Sequence, residues 1–483
     1  MTELHDLSAV QLRRVLADGE LSATACAEHF ADRISRFNGQ LRAFSVVAIE
    51  AGLRRAEQLD RARAQGDPSA SDIERAPLWG VPFGDKDLSD RAGVVSTWGS
   101  ALGPQVADVS SPIVADMDAL GGISLGKTNC PEFGLSAFGD NQIGPARNPW
   151  DLARTPGGSS SGAAVAVAAR LLPWAPGSDG GGSIRIPAAC CGVLGLKTSR
   201  GRIPANSGLE SLAGLELSGP LARSTEDLAL LLDGMLGPRR RDAKSQPLAT
   251  AAPPPPASYW RALQAAPSPG RLRIGISTWT PWPASMGIEI SPDALNVLER
   301  AAELLRVAGH DVVAAPDVPD AAGYAEAFGV VWQAGCTTIP LSDEQLEQAE
   351  PLTRGLVQAG RQLSAERLVA ALGWLNAFEA RVIDTYRPFD FILTPALASA
   401  APLVEQIPHE SWEDNFIRQS RFTPFTSYLN AAGLPALAMP VGDGPLPVGV
   451  QAIGRVGDEL GLLVLARELE RELHWEQRRP PIS

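Results

Sequence analysis

A chain of 483 residues is more than one ordinary hydrophobic core fills, and its 45% apolar and 20% charged content excludes disordered and fibrous classes. Forty-two basic against fifty-five acidic residues leave a net charge of −13, and the one basic run, Arg239-Arg240-Arg241, sits beside a proline-rich stretch, so nucleic acid is not an expected partner. No run of about 18 apolar residues occurs and Met1 to Asp6 has no leader pattern, so the expectation is a soluble cytoplasmic protein away from membranes.

The chain opens with two predicted helices, Ser8 to Ala17 and Ser22 to Asn38, each with a serine at its N-cap and Gly19 between them. A third spans Ala48 to Arg63, followed by a loop from Gly66 to Ser71. From Leu78 to Arg202 short apolar pieces are broken by glycine and alternate with helical segments, including a small-residue helix from Ala163 to Leu172. Such alternation argues an α/β fold with a mixed, largely parallel central sheet covered by helices on both faces. Residues 237–270, with Pro253-Pro254-Pro255-Pro256, read as an extended or irregular connector, followed by a smaller variable lobe. Beyond it, Leu272 to Ser277 is a predicted strand and Pro292 to Ala308 a helix, while Leu368, Leu372, Leu375 and Val382 mark the face of another helix. Phe389 to Leu393 and Leu437 to Val441 read as further strands. The five cysteines contain no C-x-x-C pair and read as buried apolar residues.

Only four of the forty-two basic side chains are lysines, and three of them, Lys86, Lys127 and Lys197, lie between residues 86 and 197. A buried lysine can lose its proton, whereas arginine keeps it. Two glycine-serine clusters, Pro156 to Gly162 and Gly177 to Pro187, permit tight turns that aim several N–H groups into one cavity, as a developing oxyanion requires. Ser183 ends the second glycine run and needs a general base. The five histidines are all distant from it in sequence, and Val81-Pro82-Phe83-Gly84-Asp85-Lys86 ends an apolar strand in an amine.

These segments resemble the amidase signature family over essentially the whole chain. The resemblance rests on Lys86-Asp87 after Pro82, Gly-Gly-Ser-Ser from Gly157, Gly-Gly-Ser-Ile-Arg-Ile-Pro from Gly181, and the 24-residue separation of Ser159 and Ser183. Gly126 to Asn129, Cys191 to Lys197 and Gly433 to Ala436 match as well. The resemblance implies a catalytic core over 78–202, a variable substrate-pocket region over 271–430 and a return to the core over 431–483. It also implies hydrolysis of a small non-peptide amide (an anilide, a linear or cyclic amide, or a carbamate) with water and without metal or cofactor, by a monomer or homodimer. Lys86 would be the neutral base, Ser159 the relay behind a cis peptide bond, Ser183 the nucleophile, and Gly180, Gly181 and Gly182 the oxyanion hole. Phe133 and Gly134 sit where the family lines its acyl pocket. Three positions depart from the family pattern: Asp85 stands at a usually apolar site, Ser161 replaces a glycine, and Gly180 replaces a threonine or other side chain. Strand alternation should point Asp85 away from Lys86.

Other motifs compete. Gly158 to Gly162 satisfies the G-x-S-x-G elbow of α/β-hydrolase esterases, with Ser160 as nucleophile, although the polar segment before it is a poor buried strand. Ser124 and Lys127 match S-x-x-K. Ala146 to Trp150 and Trp475 to Pro480 look most like stand-alone bacterial hydrolases of nylon-oligomer type, near the aryl acylamidases and urethanases. One component of a glutamine-dependent tRNA amidotransferase is the other family alternative. Trp279, Trp282, Trp332, Trp374 and Trp412 are candidates for an apolar pocket wall.

Overall fold

Serine caps set where the N-terminal helices begin. In the computed structural model, which describes residues 3–66, 69–203, 212–237, 255–408 and 411–483, the Ser8 hydroxyl accepts from Gln11 N while the Gln11 side chain accepts from Ser8 N, opening helix Ala9–Asp18. Gly19 closes it at φ 79°, and Ser22 caps the next helix, Ala23–Leu41, whose buried Cys26, Phe30 and Ile34 form a stripe at helical spacing. The third helix is Ile49–Ala64. The following loop is shorter than expected, because Ser69 caps a further helix, Ala70–Arg75. Leu375, Phe378, Val382 and Tyr386 are the buried stripe of Ala365–Tyr386, with Leu368 and Leu372 partly buried beside it.

Among the described residues thirteen strands follow in chain order: β1 Phe44–Val47, β2 Pro82–Lys86, β3 Val95–Ser96, β4 Gln105–Val106, β5 Ile123–Thr128, β6 Trp174–Asp179, β7 Leu194–Lys197, β8 Leu217–Ala222, β9 Arg273–Ile276, β10 Asp311–Ala314, β11 Phe391–Pro395, β12 Ala436–Met439 and β13 Val450–Ile453. Eight form one sheet in the order β10-β9-β11-β13-β12-β7-β8-β6, and β1-β5-β2 form a second whose strand β2 packs beside β6. The fold is mixed α/β, as expected. The share of parallel pairing is smaller than the sequence suggests: within the large sheet it is confined to β10–β9 and β9–β11. β6 and β7 run in the same direction, as a helix between them requires, but β8 inserts between them antiparallel to both.

The proline-rich segment also needs correction. Residues 238–254, with the arginine run and Pro253-Pro254, lie outside the described residues. Residues 259–265 form a helix rather than irregular chain, with Asp233 accepting from Ser258 Oγ (2.5 Å), Tyr259 N (2.6 Å) and Trp260 N (3.1 Å). The buried Tyr259 and Leu263 face helices Thr225–Leu236 and Glu459–Leu473, so tertiary burial overrides the proline-rich surroundings. All five cysteines are free and buried. No helix among the described residues is long and apolar enough to cross a membrane.

Candidate active site

The edge of the small sheet meets the edge of the large one at Lys86. As the last residue of β2 it is 2% exposed, and its Nζ lies 2.8 Å from Ser159 Oγ, 2.9 Å from Ser178 Oγ and 3.1 Å from Ser178 O. Burial pulls the lysine pKa down, and the negative charges of Glu216 and Asp179 oppose that only in part. Asp85 points the other way, as alternation requires, where it accepts from Arg91 Nε (2.6 Å), Arg91 Nη2 (3.1 Å) and Ser124 Oγ (2.7 Å).

Ser159 follows a cis peptide bond from Gly158, and the next residue ties the two glycine-serine clusters together, Ser160 N donating to Ser183 O at 3.0 Å. Ser160 itself is fully buried. Its hydroxyl donates to Ser178 O (3.2 Å) and accepts from Ser178 N (3.3 Å), and no strand precedes it. The elbow reading with Ser160 as nucleophile is therefore corrected: the side chain is a structural pin below the site. Ser124 and Lys127 do not form a pair either, since Ser124 bonds Asp85 while Lys127 donates to Ser89 O and Ser96 Oγ. Ser161, at the start of helix Ser161–Ala168, donates to Asn129 O and stays out of the cavity.

The loop from Asp179 to Ser183 is held from beneath. Arg185, fully buried, spends all five N–H groups: on Asp179 Oδ2 (2.9 Å) and Oδ1 (2.8 Å), Asn430 Oδ1 (2.7 Å), Gln451 Oε1 (2.7 Å) and Thr426 O (2.9 Å). Asn430 Nδ2 donates to Asp179 O at 2.7 Å, and Thr426 Oγ1 to Gly181 O at 2.7 Å. Asp179 Oδ1 also accepts from Gly182 N at 2.7 Å. The expectation that Gly180, Gly181 and Gly182 all aim N–H groups at an oxyanion is thus corrected at Gly182, whose donor is taken. The N–H groups of Gly180, Gly181 and Ser183 have no intramolecular acceptor among the described residues. Gly182 is needed for another reason: at φ 131° a Cβ there would stand 2.5 Å from Thr426 Oγ1. Sequence reasoning missed Asp179, Arg185, Thr426, Asn430 and Gln451. The only local signal was a pair of opposite charges, Asp179 and Arg185, bracketing a glycine run.

Ser159 and Ser183 open together into a cavity of about 190 Å³, whose wall includes Phe133, Gly134 and Trp332. A smaller chamber of about 60 Å³ adjoins it at Ser183, lined by Trp282, Phe328, Phe416 and Trp332. Of the five candidate tryptophans, only Trp332 and Trp282 reach these chambers. Trp279 stands edge-on to Tyr428, Trp374 stacks on Phe378 at 5.1 Å, and Trp412 packs over Gly355. Trp332 also accounts for the unusual Gly180, because a Cβ there would meet its indole at 3.2 Å, and Phe328, stacked on that indole at 5.6 Å, limits how far it can move. Restoring a side chain by Gly180→Thr should therefore overpack the wall by about 1–3 kcal/mol. A lowered melting temperature, partly recovered when Trp332→Ala is added, would confirm it; a tolerated single variant would refute it.

Beyond geometry, the profile of the Amidase family matches residues 25–463. The chain belongs to the amidase family. This amidase is 37% identical over 495 residues to the putative amidase AmiB2 of Mycobacterium tuberculosis, covering 100% of this chain and 99% of that one. It is 32% identical over 506 residues to a glutamyl-tRNA(Gln) amidotransferase component of Thioalkalivibrio sulfidiphilus, covering 99% of each. Among solved structures, the amidase superimposes on 6-aminohexanoate cyclic dimer hydrolase with a TM-score of 0.86 at 28% identity, over 100% of both chains.

Proposed function

We propose that this amidase hydrolyses a small non-peptide amide (an anilide, a linear or cyclic amide, or a carbamate) through an acyl-enzyme on Ser183. The observation that carries the reading is the buried Lys86 amine, which has no ion pair among the described residues and lies 2.8 Å from Ser159 Oγ. A neutral amine gives its two hydrogens to Ser178 O and Ser178 Oγ, leaving its lone pair for the Ser159 hydroxyl. Ser159 passes its proton to Lys86 and takes the proton of Ser183 as Ser183 Oγ attacks the carbonyl carbon. The N–H groups of Gly180, Gly181 and Ser183 receive the oxyanion, each donor worth about 3 kcal/mol. Ser159 then protonates the departing nitrogen, the C–N bond breaks, and water repeats the sequence against the ester to free Ser183.

A stand-alone hydrolase is favoured over a component of an amidotransferase. Glutamine carries an α-carboxylate, and no basic side chain lines either chamber among the described residues. The test is hydrolysis of an anilide, a cyclic amide and a p-nitrophenyl carbamate, with mass spectrometry of the trapped acyl adduct. An adduct on the peptide at Ser183 is expected. An adduct at Ser160, or glutaminase activity that appears only with partner chains, would overturn the proposal.

A further inference from the structure

Both chambers at Ser183 are neutral except at one point: among the described residues, Glu216 is the only charged side chain lining either of them. Its placement follows from the sheet. Leu217 of β8 pairs with Asp179 of β6, so the residue before it stands across from Gly180 at the rim of the candidate oxyanion loop. Glu216 is exposed there, among Leu88, Leu212, Leu215 and Val331, while it also keeps an interaction within the protein. Ser159 lines this chamber and not the smaller one. The group that returns the proton to the departing nitrogen must face the amine side of the substrate. The larger chamber, holding Ser159 and Glu216, is therefore the amine side.

A carboxylate that is the one charge on a chamber wall attracts a cation and repels an anion, and because Glu216 is exposed at the rim, water moderates that preference. The chain's net charge of −13 works in the same direction by concentrating cations near its surface. Resting on the acyl-transfer reading above, we propose that the substrate is an amide whose amine half bears a second, protonated nitrogen, as in a monoacylated diamine, and that Glu216 binds that ammonium. The acyl half then occupies the smaller aromatic chamber, which has no charged lining side chain among the described residues, so Phe133, expected in the acyl pocket, stands instead on the amine side with Glu216, while Gly134 lines both chambers.

The test compares two near-isosteric amides, the benzamide of ethylenediamine and the benzamide of propylamine, which differ by an ammonium in place of a methyl. Each is assayed for protection of Ser183 against a fluorophosphonate in the wild type, Glu216→Gln and Glu216→Asp. The cationic amide should protect the wild type at roughly tenfold lower concentration. Glu216→Gln should bring the ratio to about one, and Glu216→Asp should keep part of it. Equal protection by both amides in the wild type, or an unchanged ratio in Glu216→Gln, overturns the inference while leaving acyl transfer standing. Failure of the fluorophosphonate to label wild-type Ser183 would overturn the acyl-transfer reading and this inference together.

Discussion

Ser183→Ala and Lys86→Ala should each lower amide hydrolysis by roughly ten-thousand-fold or more, because nucleophile and base act as one unit in such sites and removing either forfeits nearly the whole effect. Ser160→Ala should keep most of the activity and lose about 1 kcal/mol of stability, since its buried hydroxyl bonds only the Ser178 backbone. The lysine variant has a second signature. Burial lowers the Lys86 pKa below that of the unfolded chain, so in the window between the two values the unfolded state holds more protons. Stability contributed at this position therefore rises with pH and is lower at neutral pH than at alkaline pH. Lys86→Met should accordingly be inactive yet more resistant to urea than the wild type at pH 7, with the difference shrinking as pH rises. The wild-type rate should fall on acidification as Lys86 takes up its proton. Retained turnover in either catalytic variant would remove the proposed mechanism.

Arg185→Ala should be the most damaging structural substitution near the site. Burial pushes the Asp179 carboxyl upward, but the guanidinium 2.8 Å away outweighs it and holds the acid well below the usual carboxylate range. Removing the arginine leaves a fully buried, uncompensated charge, at a cost of about 3–5 kcal/mol. The stability supplied by Asp179 is present above the unfolded value near pH 4 and disappears as pH falls through the lower folded value. The variant should therefore unfold at lower urea at neutral pH, with a deficit that narrows on acidification as the stranded carboxyl takes up a proton. Adding Asp179→Asn should recover part of the loss, because the stranded charge is gone. A pair of single variants whose costs simply add would show that the ion pair does not hold the loop.

Local chemistry made much of the fold legible. Serine caps, the helical face of Leu368, Leu372, Leu375 and Val382 and the apolar run ending at Lys86 can all be read without tertiary information. The approach of Lys86 to Ser159 was expected from the family resemblance and not from local sequence, since 73 residues separate the two. Long-range closure was not legible. The direction of β8 depends on its insertion between two earlier strands, and the helix at 259–265 depends on Asp233 and a distant helix. The donor lost at Gly182 is decided by Asp179, held in turn by Asn430 and by Arg185, which Gln451 anchors from behind. Likewise, the five tryptophans are alike in local sequence, and only packing separates Trp332 and Trp282 from the other three.

That closure also sets when the enzyme can first act. Asn430 lies 251 residues after the Asp179 carbonyl it supports. A ribosome adding about 5–20 residues per second needs about 12–50 seconds to cover that distance. Through that interval a nascent chain carries Lys86, Ser159, Ser183 and Arg185 but lacks Thr426 and Asn430, the distant struts under its 179–183 loop. Ribosome-bound chains stalled before residue 426 should be catalytically silent, and the activity of each molecule should switch on only near the end of its own translation.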